Sequence, residues 1–159
     1  MSRFVSILLL LLSFPLKAEV PKGWNLVRSD LGVEVWLKES NHNITASIEI
    51  EKAKNQLTWS SVNNTEYFKT LTKSKKKQLS LIGIRNWKSS DYRWVEGPKS
   101  KQLIVRGSYT DPSNRKIHFL EVHTFFTTFN KRVLHTWPTD SKESAEIVEY
   151  LNKKELDDD

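Results

Sequence analysis

Along most of the chain apolar and polar residues alternate with a period of two, a pattern that only a half-buried β-strand can use. In "GVEVWLK" (residues 32–38) Val33, Val35 and Leu37 alternate with Glu34, Trp36 and Lys38. "ITASIEIEK" does the same through Ile44, Ala46, Ile48 and Ile50, with the polar "ESNHN" as the turn between the two. Further strand signals follow in "LSLIGIRNW", "YRWVEG", "KQLIVRGSY", "RKIHFLEVHTFF" and "RVLHTWP". The turns are chemically apt. Asp111 and Pro112 suit the first two corners of a type I turn, Gly97-Pro98 breaks a strand, and Pro138 ends the last one.

Two stretches depart from this period. From Asn64, Tyr67, Phe68 and Leu71 fall on one side of a 3.6-residue helix. Lys69, Lys73, Lys76 and Lys77 fall on the other, with Lys75 nearer the apolar side. A helix over about 64–78 is predicted, with Asn63 or Asn64 as N-cap. A second helix is predicted after Asp140, where "DSKE" resembles a capping box and Ala145, Ile147, Val148 and Leu151 form a stripe. The order is β-β-α-β-β-β-β-β-α. It predicts an α+β domain: an antiparallel sheet of about six or seven strands flanked by two helices.

The first 18 residues, "MSRFVSILLLLLSFPLKA", have the positive start, apolar run and small final residue of a secretory signal peptide. The apolar run is about half of the roughly 20 residues a membrane-spanning helix needs. The expected organisation is therefore a signal peptide over 1–18, a single domain over 19–154 and an acidic tail over 155–159, in an exported, periplasmic or secreted protein. The absence of cysteine excludes a thiol nucleophile, a zinc–thiolate site and a lipidated N-terminal cysteine. It also leaves the fold to rely on packing, for which six Trp, four Tyr and seven Phe are available. The formal net charge is +6, and the acidic "ELDDD" tail makes the body more basic still. A basic body favours anionic partners, here an envelope protein or an anionic membrane surface. An exported chain is a poor candidate for nucleic-acid binding, and no later segment is long and apolar enough to cross a bilayer. "NIT" at Asn43 and "NNT" at Asn63 match the glycosylation acceptor pattern, which carries no meaning in an ordinary bacterium.

The element order, together with "IHFLEVHTFF", "RVLHTWP" and the small-residue "ESAEIVEYL", resembles the PsbP-like family, the photosystem extrinsic-subunit fold and its bacterial exported relatives. The resemblance covers most of the mature chain. It implies an α/β/α sandwich and action mostly through binding other proteins, and it brings no shared catalytic residues. The lipid-attachment cysteine of some bacterial relatives is missing.

Chemistry-bearing residues concentrate in "RGSYTDPSNRKIHFLEVHTFF" (residues 106–126). On a strand, Ile117, Phe119, Glu121, His123 and Phe125 share one face, and His118, Leu120, Val122, Thr124 and Phe126 the other. His118 and His123 therefore point apart. Glu121 and His123 share a face, and a zinc site would need a third ligand, for which His135 is the candidate. Both faces are largely apolar, so the reading favoured is the interior of a sheet, with Glu121 and His123 at its rim or satisfied by neighbours. Ser108 lacks the Gly-x-Ser-x-Gly elbow. The scattered glycines make no phosphate loop, and no H-E-x-x-H or calcium loop is present. No cofactor is implied and catalysis is disfavoured.

Two surface features remain. The run "KTLTKSKKK" offers Lys69, Lys73, Lys76 and Lys77 to an acidic partner or to anionic lipid. Trp36 and Trp94 share faces with charged residues and are candidate exposed recognition aromatics. The expected function is a non-catalytic binding domain. A carrier of an apolar ligand is the second reading, and a hydrolase or metal enzyme using Glu121, His123 and His135 the third.

Overall fold

The computed structural model describes residues 23–40, 43–54 and 57–139. The signal-peptide reading of 1–18, the second helix and the acidic tail all lie outside them. The described chain is mainly β. Strands β1 (Trp24–Asp30), β2 (Val33–Ser40) and β3 (Asn43–Lys54) precede helix α1 (Asn64–Leu81). Then follow β4 (Arg85–Glu96), β5 (Lys101–Thr110), β6 (Lys116–Phe125) and β7 (Phe129–Pro138). All seven strands form one antiparallel sheet in the order β1-β2-β3-β7-β6-β5-β4.

This corrects the expected α+β sandwich with a helix on each side. Period-two patterning spans seven strands of 7 to 12 residues, and among the described residues only α1 is helical. The strand count of seven arises differently from the reading above. β1 was not anticipated, because a bulge between Leu26 and Arg28 breaks its alternation. "LSLIGIRNW" and "YRWVEG" are not two strands. The first three residues belong to α1, the next three form the turn, and Arg85 onward joins one long β4 whose bulges at Arg85/Lys88 and Ser89/Asp91 interrupt the period.

The ends of α1 are chemically defined. The Asn63 side chain accepts from the Glu66 backbone N–H at 3.0 Å, an N-cap with an acidic residue at the third position. At the other end Ile84 N–H donates to the Leu79 carbonyl and Gly83 N–H to the Ser80 carbonyl, with Gly83 at φ +79°. That is the Schellman arrangement, in which glycine takes the left-handed position without a Cβ clash.

Both faces of the sheet carry core. On the helix side Trp87, Leu103, Val105 and Phe119 are buried, with Tyr67, Phe68, Leu71 and Leu79 of α1 packed on them. On the other side lie Ile104, Leu120 and Val122, continued by Trp24, Ala46, Ile48, Ile50 and Val133. β6, with β5 and β7 as neighbours, is buried along nearly its whole length. This is the two-sided central strand its apolar faces predict.

Candidate functional site

The register of three strands builds a polar row on the helix side of the sheet. His123 of β6 pairs with Arg132 of β7, and Arg132 pairs with Glu51 of β3. Glu121 and Glu49 stand one pleat along, each opposite Leu134. Arg132 therefore has Glu51 as its direct cross-strand neighbour and both other carboxylates on its diagonals, within reach of a long side chain. Its Nε donates to Glu51 at 3.0 Å, one terminal nitrogen pairs with Glu49, and the other donates to Glu121 Oε1 at 3.3 Å.

Helix α1 closes the row from above. Lys75 Nζ sits 2.7 Å from Glu121 Oε1, with its side chain only 16% exposed and that of Glu121 2%. His123 Nε2 approaches the same oxygen at 3.2 Å, off the line an optimal hydrogen bond would take. The Tyr67 hydroxyl lies 3.1 Å from His123 Nδ1. Because Nε2 faces a carboxylate it is the nitrogen that carries the proton, so Nδ1 accepts from the Tyr67 O–H. The Tyr67 ring meets those of Trp94, His123 and Phe125 edge-on.

The electrostatics follow from burial and these neighbours. Burial alone would raise the Glu121 carboxyl, but the contact with His123 and the Lys75 ammonium outweigh it and hold the group well below the usual carboxylate range. Burial, reinforced by the Glu121 charge, pushes the Tyr67 phenol up to about 12. Arg132 is raised against its own desolvation by Glu121, Glu49 and Glu51. Glu121 is thus a fixed anion under converging cations, and Tyr67 a fixed donor. A carboxylate so held is unsuited to exchanging protons near neutral pH. The arrangement is a polar clamp fastening α1 to β6, β7 and β3. A shallow cleft of about 210 Å³ opens beside it, lined in part by Glu51, Tyr67, His123, Asn130 and Arg132.

The sequence-predicted residues fall in three places. Glu121 and His123 are together in the buried row beneath α1. His135 does not join them. It pairs with Leu120 and Ile48 on the opposite face, between Trp24 (5.9 Å, edge-on) and Trp137 (4.7 Å, stacked). Its Nδ1–H donates to the Ser47 carbonyl at 3.0 Å, and burial pushes its pKa down to about 4. The three-ligand cluster is therefore not assembled, and among the described residues no three His, Asp or Glu side chains are placed to hold a metal. Lys69, Lys73, Lys76 and Lys77 are exposed along α1. Trp36 and Trp94 are half-buried. The Trp36 indole N–H donates to Glu34 at 3.3 Å while its ring packs on the Ala46–Ile48 cluster. Trp94 stacks on Phe125, and its N–H is buried.

Tyr67, Arg132, Glu49 and Glu51 were missed as site residues. Arg132 was within reach of a sequence argument. A tight β6–β7 turn, closed by Phe126 N–H to the Phe129 carbonyl, pairs residues whose numbers sum to 255. Position 123 then falls opposite 132, and 135 opposite 120, off the Glu121 face.

No protein-family profile and no curated protein matches the chain. Among the described residues, no helix is long and apolar enough to cross a membrane.

Proposed function

We propose that the chain is an exported, non-catalytic binding module that works by contact with another envelope protein, and that the outer side of α1 is the contact. One observation carries this reading. Of the five lysines on the helix, Lys75 is drawn down onto Glu121, whereas Lys69, Lys73, Lys76 and Lys77 are exposed and pair with no carboxylate among the described residues. Their charge is unspent within the fold and available to an acidic partner. The resemblance to the PsbP-like family, whose members mostly bind proteins, points the same way. The strongest catalytic candidate in the sequence supports the same conclusion from the other side, since Glu121 is committed to a clamp.

The test is native mass spectrometry of the chain purified from its own host's envelope, alongside a variant carrying Lys69→Glu, Lys73→Glu, Lys76→Glu and Lys77→Glu. The expected result is a protein partner at fixed stoichiometry on the wild type and its loss from the variant. A partner retained by the variant would reject the lysine face. A small bound mass released only on denaturation would favour a carrier instead.

A further inference from the structure

The exposed stripe of α1 does not end on a polar residue. Lys73, Lys77 and Leu81 are spaced four apart, so Leu81 continues the lysine side of the helix. Leu81 is 79% exposed and the following Ile82 63%. Two large apolar side chains side by side in water are an unusual way to finish a helix, where a lysine or serine would be accommodated at no cost. The tip is also held in shape. The Schellman bonds fix the turn at Gly83, and the Pro112 ring of the β5–β6 turn packs beside it, 3.5 Å from where a Cβ on Gly83 would stand.

Around this tip the charge is positive. Lys76 and Lys77 lie one turn back on the helix, and Arg85, exposed, begins the next strand and donates to Asn114 at 3.3 Å. Beyond them an open concavity of about 630 Å³ is lined in part by Asn86, Lys88, Asn114 and Lys116. Asp111 is the nearby carboxylate, and it is neutralised by Arg115 at 2.8 Å.

We propose that this end of the molecule docks on an anionic lipid bilayer. Leu81 and Ile82 enter the boundary between headgroups and acyl chains, and Lys76, Lys77 and Arg85 meet lipid phosphates. The proposal goes beyond the protein-binding reading in both ligand and residues. A bilayer suits the geometry better than a protein does. The apolar part is two adjacent side chains, far short of the roughly 800 Å² per partner of a stable protein interface. A diffuse basic rim needs no register to find lipid headgroups, and amphipathic surface elements bind membranes by this combination.

The chain has no cysteine, so Leu81→Cys creates a unique site for an environment-sensitive dye in the full chain. Leu31→Cys does the same at the far end of the sheet, where Leu31 is 95% exposed. With vesicles of phosphatidylcholine containing phosphatidylglycerol, the dye at position 81 is expected to shift to the blue and to be quenched by brominated lipid. The dye at position 31 is expected to stay in water. Lys76→Gln with Lys77→Gln is expected to weaken partitioning by on the order of 20- to 30-fold. Placing the dye in two positions separates tip insertion from any attachment through the apolar N-terminal run. The proposal is overturned by a dye at position 81 that stays in water on vesicles carrying the protein. An equal response to pure phosphatidylcholine overturns it too, as does a dye at 81 shielded by an acidic protein in the absence of lipid. The first two outcomes leave the protein-binding reading of Lys69 and Lys73 untouched, whereas shielding of position 81 by an acidic protein would extend that reading to the helix tip.

Discussion

Five lysines on one helix should differ sharply in what they contribute to stability, and the difference follows from where each ammonium sits. Lys75 is 84% buried beside a carboxylate that is almost wholly so, at 2.7 Å. Removing one member of a buried pair typically costs about 3–5 kcal/mol, because the other is left desolvated and uncompensated. Glu121 keeps Arg132 and His123 when Lys75 is lost, so Lys75→Met belongs at the low end, about 3 kcal/mol. Glu121→Leu strands the ammonium and one guanidinium arm and belongs higher in the same range. Lys69→Met and Lys73→Met, on the exposed side, should each stay within about 0.5 kcal/mol of wild type. Urea unfolding followed by tryptophan fluorescence measures all four. Combining Lys75→Met with Glu121→Leu should cost less than the two single losses added, with a coupling of about 1–3 kcal/mol. A Lys75 variant as stable as the Lys69 variant, or a strictly additive double variant, would refute the clamp.

Two further outcomes concern the sheet itself. His135 is neutral in the fold with its pKa near 4 but titrates near 6.5 when unfolded. The unfolded chain thus takes up the extra proton, and stability that is complete above pH 6.5 drains away as pH falls toward 4. Between pH 7 and pH 5 this group alone should remove about 2 kcal/mol from the unfolding free energy, and His135→Gln should flatten the pH profile by that amount; an unchanged profile would show that His135 is solvated. Gly107→Ala places a Cβ against the Lys88 carbonyl and 2.6 Å from the Phe119 ring. A loss of about 3 kcal/mol in chemical denaturation is expected, and a loss below about 1 kcal/mol would mean that edge strand β4 simply slides aside.

Where alternation is clean, the sequence reads directly into structure. Residues 46–50 and 117–125 alternate without interruption, and both are strands with the faces expected. Bulges defeat the same reasoning. At Val27 and at Ser89–Asp91 one strand gains a residue over its partner, so the period slips and β1 goes unseen while β4 is split. The helix outruns its apolar stripe because the Gly83 turn, not the pattern, decides where it ends. The polar site was half legible. Glu121 and His123 declare themselves as charges in an apolar strand, whereas Glu49 and Glu51 look like an ordinary solvent face until Arg132 is set opposite them. Alternation reports which residues share a face, but not which way that face points. Val33 and Val35 of β2 in fact stand beside the carboxylates of β3, while Ile48 and Ile50 stand beside Trp36 and Glu34.

The clamp and the free surface depend on each other. A helix with no fully buried residue has little apolar area with which to fix its own rotation on the sheet, and a stripe of partly buried side chains tolerates some rolling. Lys75 and Tyr67 remove that freedom, because each must meet one acceptor on β6, at 2.7 and 3.1 Å. The two contacts lie eight residues apart on the same side of α1, a little over two turns. With both made, the side carrying Lys69, Lys73, Lys76, Lys77 and Leu81 is turned outward as one rigid array. The buried charges therefore serve the exposed ones. Loosening the clamp at Lys75 should weaken whatever the outer face binds even though Lys75 never touches it.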